Sequence, residues 1–248
     1  MKELVVNNKK ISIYENNSSK QMIPVIILNS FQEEGKEIFE KCKELQAIDF
    51  ILVSISNLNW NQDLTPWKSL ALFGSEEFKG KADDYLEELE SKILPRVEET
   101  IKTTLKKSVS YYGIVGYSLA GLFALYTGFK TDKFQRIASI SGSLWYPHLE
   151  AFIQENTLSK NIDKVYFSLG KKEKNSKNNY LSTIEEKTKA IEKIISQKVR
   201  CKYEENHGNH FQDVVLRISK GITWILKEGE QKGWKNNINS HFTLCLRR

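Results

Sequence analysis

Proline and methionine are scarce, with four and two in 248 residues, and cysteine occurs three times. Cys42, Cys201 and Cys245 are odd in number, scattered and without CxxC spacing. That pattern suggests neither a disulfide framework nor a zinc site and suits a reducing, cytoplasmic compartment. Long apolar runs are also missing: none approaches the ~20 residues a membrane span needs, so a soluble protein with no membrane partner is expected. The first ten residues lack the apolar stretch and small-residue cleavage site of a secretory signal, so export is unsupported. Strong charge is absent as well. Thirty-seven Lys and Arg against 31 Asp and Glu give +6, and the lysines alternate with glutamates, as in Lys187, Lys189 and Lys193 beside Glu185, Glu186 and Glu192. This reads as a solvated surface rather than a nucleic-acid site.

What is present is an alternation of β and α patterns almost end to end, the signature of a mainly parallel sheet covered on both faces, an α/β fold. Leu4 to Val6 and Ile11 to Tyr14, joined through Asn7 and Asn8, predict an antiparallel hairpin at the sheet edge. Ile23 to Leu28 and Phe50 to Ile55 are apolar enough to be strands buried on both faces, with helical spacing at Ile38, Phe39, Cys42 and Leu45 between them. Residues 57–80, with Trp60 and Trp67, predict a long, aromatic and functional loop. The helical stripe Ala82, Tyr85, Leu86, Leu89, Ile93 continues past Pro95, where a kink or division is expected. Strands at 111–115, 134–140, 165–169 and 199–203 follow, with a capping box at Ser182 to Glu185 and a last helix bearing Val214, Ile218, Ile222 and Ile225. One domain over residues 1–228 and a polar tail over 229–248 complete the reading.

The chemistry concentrates at Gly116-Tyr-Ser-Leu-Ala120. An apolar strand precedes it and an apolar helix follows, which is the setting of a nucleophile elbow presenting Ser118. Gly116 and Ala120 are small where the two backbones pass closely, and the helix start aims N–H groups at developing negative charge. An ordinary strand-to-helix turn with a capping serine is the competing reading. A serine needs a base. Of four histidines, His148 starts a short helix, His241 lies in the tail, His207 reads as strand end, and His210 follows Gly208-Asn209 at the start of the last helix. His210 is the candidate base. The acid should fall between residues 118 and 210, past a strand's carboxyl end. Glu173, three residues beyond Gly170, is the carboxylate there, although Lys171, Lys172 and Lys174 also suit a solvated loop; Asp163 lies before the strand, on the wrong edge. The backbone of Leu119, with that of Ser30 or Phe31 after the Ile23 to Leu28 strand, would supply an oxyanion hole.

These residues together resemble the "Putative esterase" family of the α/β-hydrolase superfamily, which includes esterase D-like enzymes and the enterochelin (siderophore trilactone) esterases. The similarity rests on residues 116–121, on Ser141-Gly-Ser-Leu-Trp-Tyr146, on Ser168-Leu-Gly170 with Glu173, and on Gly208-Asn-His-Phe211. Asp63-Leu-Thr-Pro-Trp67 looks like the family's substrate-side loop. The resemblance implies hydrolysis of a small-molecule carboxylic ester through an acyl-serine, without cofactor or metal, and places Trp67 and Trp145 near a substrate pocket, where either could equally be a packed core aromatic. Ala120 departs from the glycine of the commonest elbow. An acyltransferase on the same fold, or a non-catalytic scaffold binding an acidic partner, are the competing functions.

Overall fold

The computed structural model describes residues 1–70 and 76–228; the tail expected at 229–248, with His241 and Cys245, lies outside them. Ten strands occur among the described residues: β1 Lys2–Val6, β2 Lys9–Glu15, β3 Met22–Asn29, β4 Ile51–Ser56, β5 Lys68–Ser69, β6 Phe78–Lys79, β7 Ser108–Tyr117, β8 Phe134–Ile140, β9 Lys164–Gly170 and β10 Arg200–Asn206. The helices are α1 Gly35–Glu44, α2 Trp60–Asp63, α3 Ala82–Glu88, α4 Leu94–Thr100, α5 Leu119–Thr127, α6 Leu149–Glu155, α7 Asn179–Ser182, α8 Ile184–Ile195 and α9 Val214–Leu226.

Eight strands form one sheet in the order β1-β2-β4-β3-β7-β8-β9-β10. From β4 to β10 the pairing is parallel. The first two strands form the expected antiparallel hairpin, with Leu4 opposite Ile11. Asn7 and Asn8 both take positive φ, 47° and 67°, the geometry that matches a two-residue turn to strand twist and that asparagine tolerates best. Each face of the sheet carries its own core. On one side Ile38, Phe39 and Cys42 of α1 pack with Ile218, Ile222 and Ile225 of α9; on the other lie α3 to α6 and α8, including the buried Ile184, Thr188, Ile191 and Ile195. Central strands β3, β4 and β9 are buried on both faces, which explains their unbroken apolar runs.

Three local expectations differ. Pro95 does not end its helix: a π turn at Leu89–Ile93 joins α3 to α4, in whose first turn Pro95 sits, and a second π turn at Ile101–Leu105 extends α4. Widening the ring before Pro95 accommodates its missing donor and its bulk. The capping box at Ser182 does not form. Instead Asn178 caps α7 by accepting from the amides of Tyr180 and Leu181, while Ser182 and Thr183 donate backward to the carbonyls of Asn179 and Tyr180. The long loop is also partly structured. It holds α2 and the two-residue ribbon β5–β6, closed where Gly80, φ 67°, leaves no room for a Cβ against Trp67.

Candidate active site

Strand order places the site. β3 is followed by β4 on one side, and β7 to β10 fill the other, so the order reverses between β3 and β7. Crevices at the carboxyl ends of strands flanking such a reversal are where open α/β sheets bind ligands. Ser118 follows β7, Ser30 and Phe31 follow β3, Ser141 follows β8, Glu173 lies beyond β9 and His210 beyond β10.

Ser118 sits at φ 58°, ψ −124°, a conformation that costs a non-glycine residue of order 1–3 kcal/mol. The turn is tight: a Cβ on Gly116 would lie 2.2 Å from the carbonyl carbon and oxygen of Ala120. Ala120 itself fits, fully buried in α5.

Ser118 Oγ lies 3.1 Å from His210 Nε2, and His210 Nδ1 lies 2.8 Å from Glu173 Oε2. Since an ionised carboxylate can only accept, Nδ1 carries the proton, leaving the Nε2 lone pair toward the serine hydroxyl. Contrary to the expectation, His210 does not begin the last helix: α9 starts at Val214, and His210 hangs in the preceding loop with its side chain 31% exposed. Glu173 is not the solvated residue its lysine neighbours allow. Its side chain is 4% exposed, and Oε1 accepts from the Gly170 amide at 2.6 Å, Ser141 Oγ at 2.7 Å and Arg217 Nη1 at 3.2 Å. Burial raises its pKa, but the bond and charge of His210 and the Gly170 and Ser141 bonds outweigh burial and hold it below the ordinary carboxylate value. Two of the three lysines pair elsewhere, Lys171 with Glu205 and Lys174 with Glu185.

Of the candidate oxyanion donors, Leu119 opens α5, where the first amides have no partner within the helix. Ser30 does not qualify, because its amide donates to the Ile55 carbonyl at 2.9 Å and so extends the sheet. Phe31 remains, its amide resting on Glu34 Oε1 at 3.2 Å. Trp145 lines a groove of about 630 Å³, with Tyr146, His148, Tyr180, Thr183 and Lys187 among its walls. Neither Ser118 nor His210 lines it; the link is Ser143, whose Oγ lies 3.5 Å from Ser118 Oγ, one residue before the groove begins at Leu144. Trp67 does not line this groove. Its indole packs on Tyr126, Tyr146 and Phe152 and donates to the Pro147 carbonyl, while Tyr146 donates to the Trp67 carbonyl, so it braces the 57–80 segment against the segment after β8. Asp63, at the head of that motif, is buried and paired with Lys9 at 3.6 Å. His207 is exposed, and only its carbonyl serves the site. Among the described residues no group of three or more His, Cys, Asp or Glu gathers as a metal site would.

Sequence reasoning missed Arg217 and Tyr117. The signal for Arg217 was available: it falls on the stripe of α9 shared with Val214, Ile218 and Ile222, where a charge has no place unless paired.

A strained serine on a strand-to-helix turn, linked through a histidine to a buried carboxylate, defines the class of α/β-hydrolase-type serine hydrolases. The family model described as "Putative esterase" matches residues 7–214, and the chain belongs to that family of carboxylic ester hydrolases. An uncharacterized Bacillus subtilis (strain 168) protein, YbbA, is 27% identical over 178 residues, 68% of this chain and 70% of its own. Among solved structures, an IroE-like serine hydrolase from Shewanella oneidensis shares the fold with a TM-score of 0.68 at 19% identity, covering 87% of this chain and 75% of that one. A siderophore hydrolase, EstB, from Aspergillus nidulans matches with a TM-score of 0.68 at 18% identity over 90% and 94%.

Proposed function

We propose that the chain hydrolyses a small-molecule carboxylic ester through an acyl-serine intermediate, with Ser118 as nucleophile, His210 as general base and Glu173 as the acid that orients it. The observation carrying this reading is the continuous path from Ser118 Oγ through both ring nitrogens of His210 to Glu173. As Ser118 Oγ attacks the ester carbon, its proton passes to His210 Nε2. The oxyanion takes the Leu119 amide and the Phe31 amide, the latter released from Glu34. Collapse breaks the bond to the alcohol, which leaves with the proton from His210. Water then attacks the acyl-serine, gives a proton to His210, and the acid departs as Ser118 regains its hydrogen. The Trp145 groove, with apolar walls at Leu144, Trp145 and Leu149 and polar or charged groups at His148, Glu150 and Lys187, suits the bulkier part of the substrate. No helix among the described residues is long and apolar enough to cross a membrane.

Fluorophosphonate labelling of wild type beside Ser118→Ala, with 4-nitrophenyl acetate turnover in parallel, tests the reading. Labelling and turnover should both vanish in the variant. A folded wild type that neither labels nor turns over would leave a binding scaffold as the better account. Comparing a ferric trilactone with simple esters then divides siderophore hydrolysis, the activity in the name of EstB, from general esterase action.

A further inference from the structure

Arg217 is fully buried, and its guanidinium spans several chain segments. Nη1 donates to Glu173 Oε1 at 3.2 Å, to the Tyr117 hydroxyl at 3.1 Å and to Ser141 Oγ at 3.3 Å. Nη2 donates to the carbonyls of His207 at 2.5 Å and Asn209 at 2.9 Å. The Tyr117 hydroxyl donates in turn to the His210 carbonyl at 2.6 Å, and its ring lies 5.3 Å from the imidazole. The loop between β10 and α9 is therefore tied at residues 207 and 209 directly and at 210 through Tyr117. The same cation neutralises the far oxygen of the carboxylate whose near oxygen holds the histidine.

We propose that Arg217 is a positioning residue that fixes where His210 stands over Ser118 and, by sharing Glu173 with it, tempers the carboxylate's pull on the imidazole. Geometry supports the first part. The loop has no regular structure; its remaining ties are the Lys172 amide on the Gly208 carbonyl at 3.0 Å and local bonds among Asn209, Phe211 and Gln212, none of which reaches His210, and displacements near 1 Å at a catalytic group cost about 100-fold in rate. Charge supports the second. The groups facing His210 are Glu173 from beyond β9, Arg217 from α9, and Tyr117 and Ser118 from the end of β7. Removing the cation leaves the carboxylate's field on the ring uncompensated and favours imidazolium. A lysine at 217 would keep charge but not the planar fork that reaches the carboxylate, the hydroxyl and two carbonyls together.

The inference rests on the roles proposed for Ser118 and His210, so the test includes one readout that needs no turnover. Arg217→Lys, Arg217→Met and Tyr117→Phe are compared by kcat, KM, the pH dependence of kcat/KM, and an NMR titration of the His210 ring without substrate. Arg217→Lys should lower kcat about 30-fold with KM nearly unchanged and the acidic limb of the profile in place. Arg217→Met should lower kcat at least as far and move that limb and the ring titration upward. Tyr117→Phe, which keeps both charges, should lower kcat about fivefold without moving the limb. If burial of Arg217 keeps its variants from folding, Tyr117→Phe carries the positioning arm. Wild-type kcat in Tyr117→Phe or in a folded Arg217→Lys overturns the positioning role, and an unmoved ring titration in a folded Arg217→Met overturns the electrostatic one. A wild type without esterase turnover would undo the proposed function instead, and the ring titration would still decide whether Arg217 governs His210.

Discussion

On one side of Ser118, Glu173 is 4% exposed and its two oxygens meet His210, Gly170, Ser141 and Arg217. On the other, Phe31 is 67% exposed, its ring lies edge-on to Trp60 at 5.1 Å, and its amide rests on the side chain of Glu34. The base side is assembled before any substrate arrives, with both Glu173 oxygens accepting and both terminal nitrogens of Arg217 donating. On the proposed oxyanion side the Phe31 amide is occupied by a carboxylate that an oxyanion would have to displace. Preorganised charge is what makes such sites effective, so the two sides should respond differently to substitution. Damage to the base side should appear in kcat, whereas damage to the loop side should be small and of either sign.

The largest effect is expected from Glu173→Gln, which keeps the shape but removes the acceptor that sets the His210 tautomer and the charge facing Arg217. Steady-state kinetics should show kcat lower by about 10³–10⁴-fold with KM little changed. A loss below tenfold would mean that the buried cluster is structural and the contrast between the two sides is false.

Next comes the elbow on which both sides depend. Gly116→Ala places a methyl group 2.2 Å from Ala120 backbone atoms, which neither strand nor helix can yield without moving Ser118. Denaturant unfolding should show a loss of about 3 kcal/mol, with activity falling further than stability because the nucleophile is displaced.

Acid titration separates the sides again. The folded pKa of Glu173 is depressed, so its contribution to stability is fully present above the ordinary carboxylate value and is lost as pH falls through the lower folded value. Thermal melts should stay level from pH 7 to about 5 and decline below about 4.5, with a shallower decline in Glu173→Gln. Equal slopes would show that the bonds around Glu173 add no net stability.

The base side was legible in part because sequence states it locally. Gly116, Ser118 and Ala120 occupy one turn, and the strand-turn-helix pattern around them is strong; His210 and Glu173 follow from chain order and strand ends. The sheet was legible for the same reason, each apolar run being its own strand. Tyr117 was not, because its role depends on which loops cross above α9; for Arg217 the helical spacing marks a charge on the buried stripe of α9 but not the partners it would find there. The Asn178 cap overrode the Ser182 motif because the chain between β9 and α8 makes an extra turn first. Trp67 lies against Tyr126, Tyr146 and Phe152 rather than along the Trp145 groove, and an aromatic in a loop has the same sequence signature whether it faces ligand or braces a neighbour.

The smallest effects, and the sharpest comparison, are expected at Glu34. Its carboxylate accepts from the Phe31 amide at 3.2 Å and from the Gln32 amide at 2.8 Å. The shorter bond can keep the side chain anchored while the longer one is given up to an oxyanion, so Glu34 both tethers the loop and competes for its donor. Glu34→Gln keeps the tether and removes a negative charge from the neighbourhood of the developing oxyanion, so kcat/KM should rise about two- to threefold. Glu34→Ala removes the tether as well, and kcat/KM should fall by a similar factor because the Phe31 amide is no longer held in place. Affinity for a trifluoromethyl ketone, which forms the tetrahedral adduct on a reactive serine, should move with kcat/KM in both variants. Losses of a hundredfold or more in both would show that the loop is as rigidly built as the base side; opposite small shifts would show that substrate completes the hole.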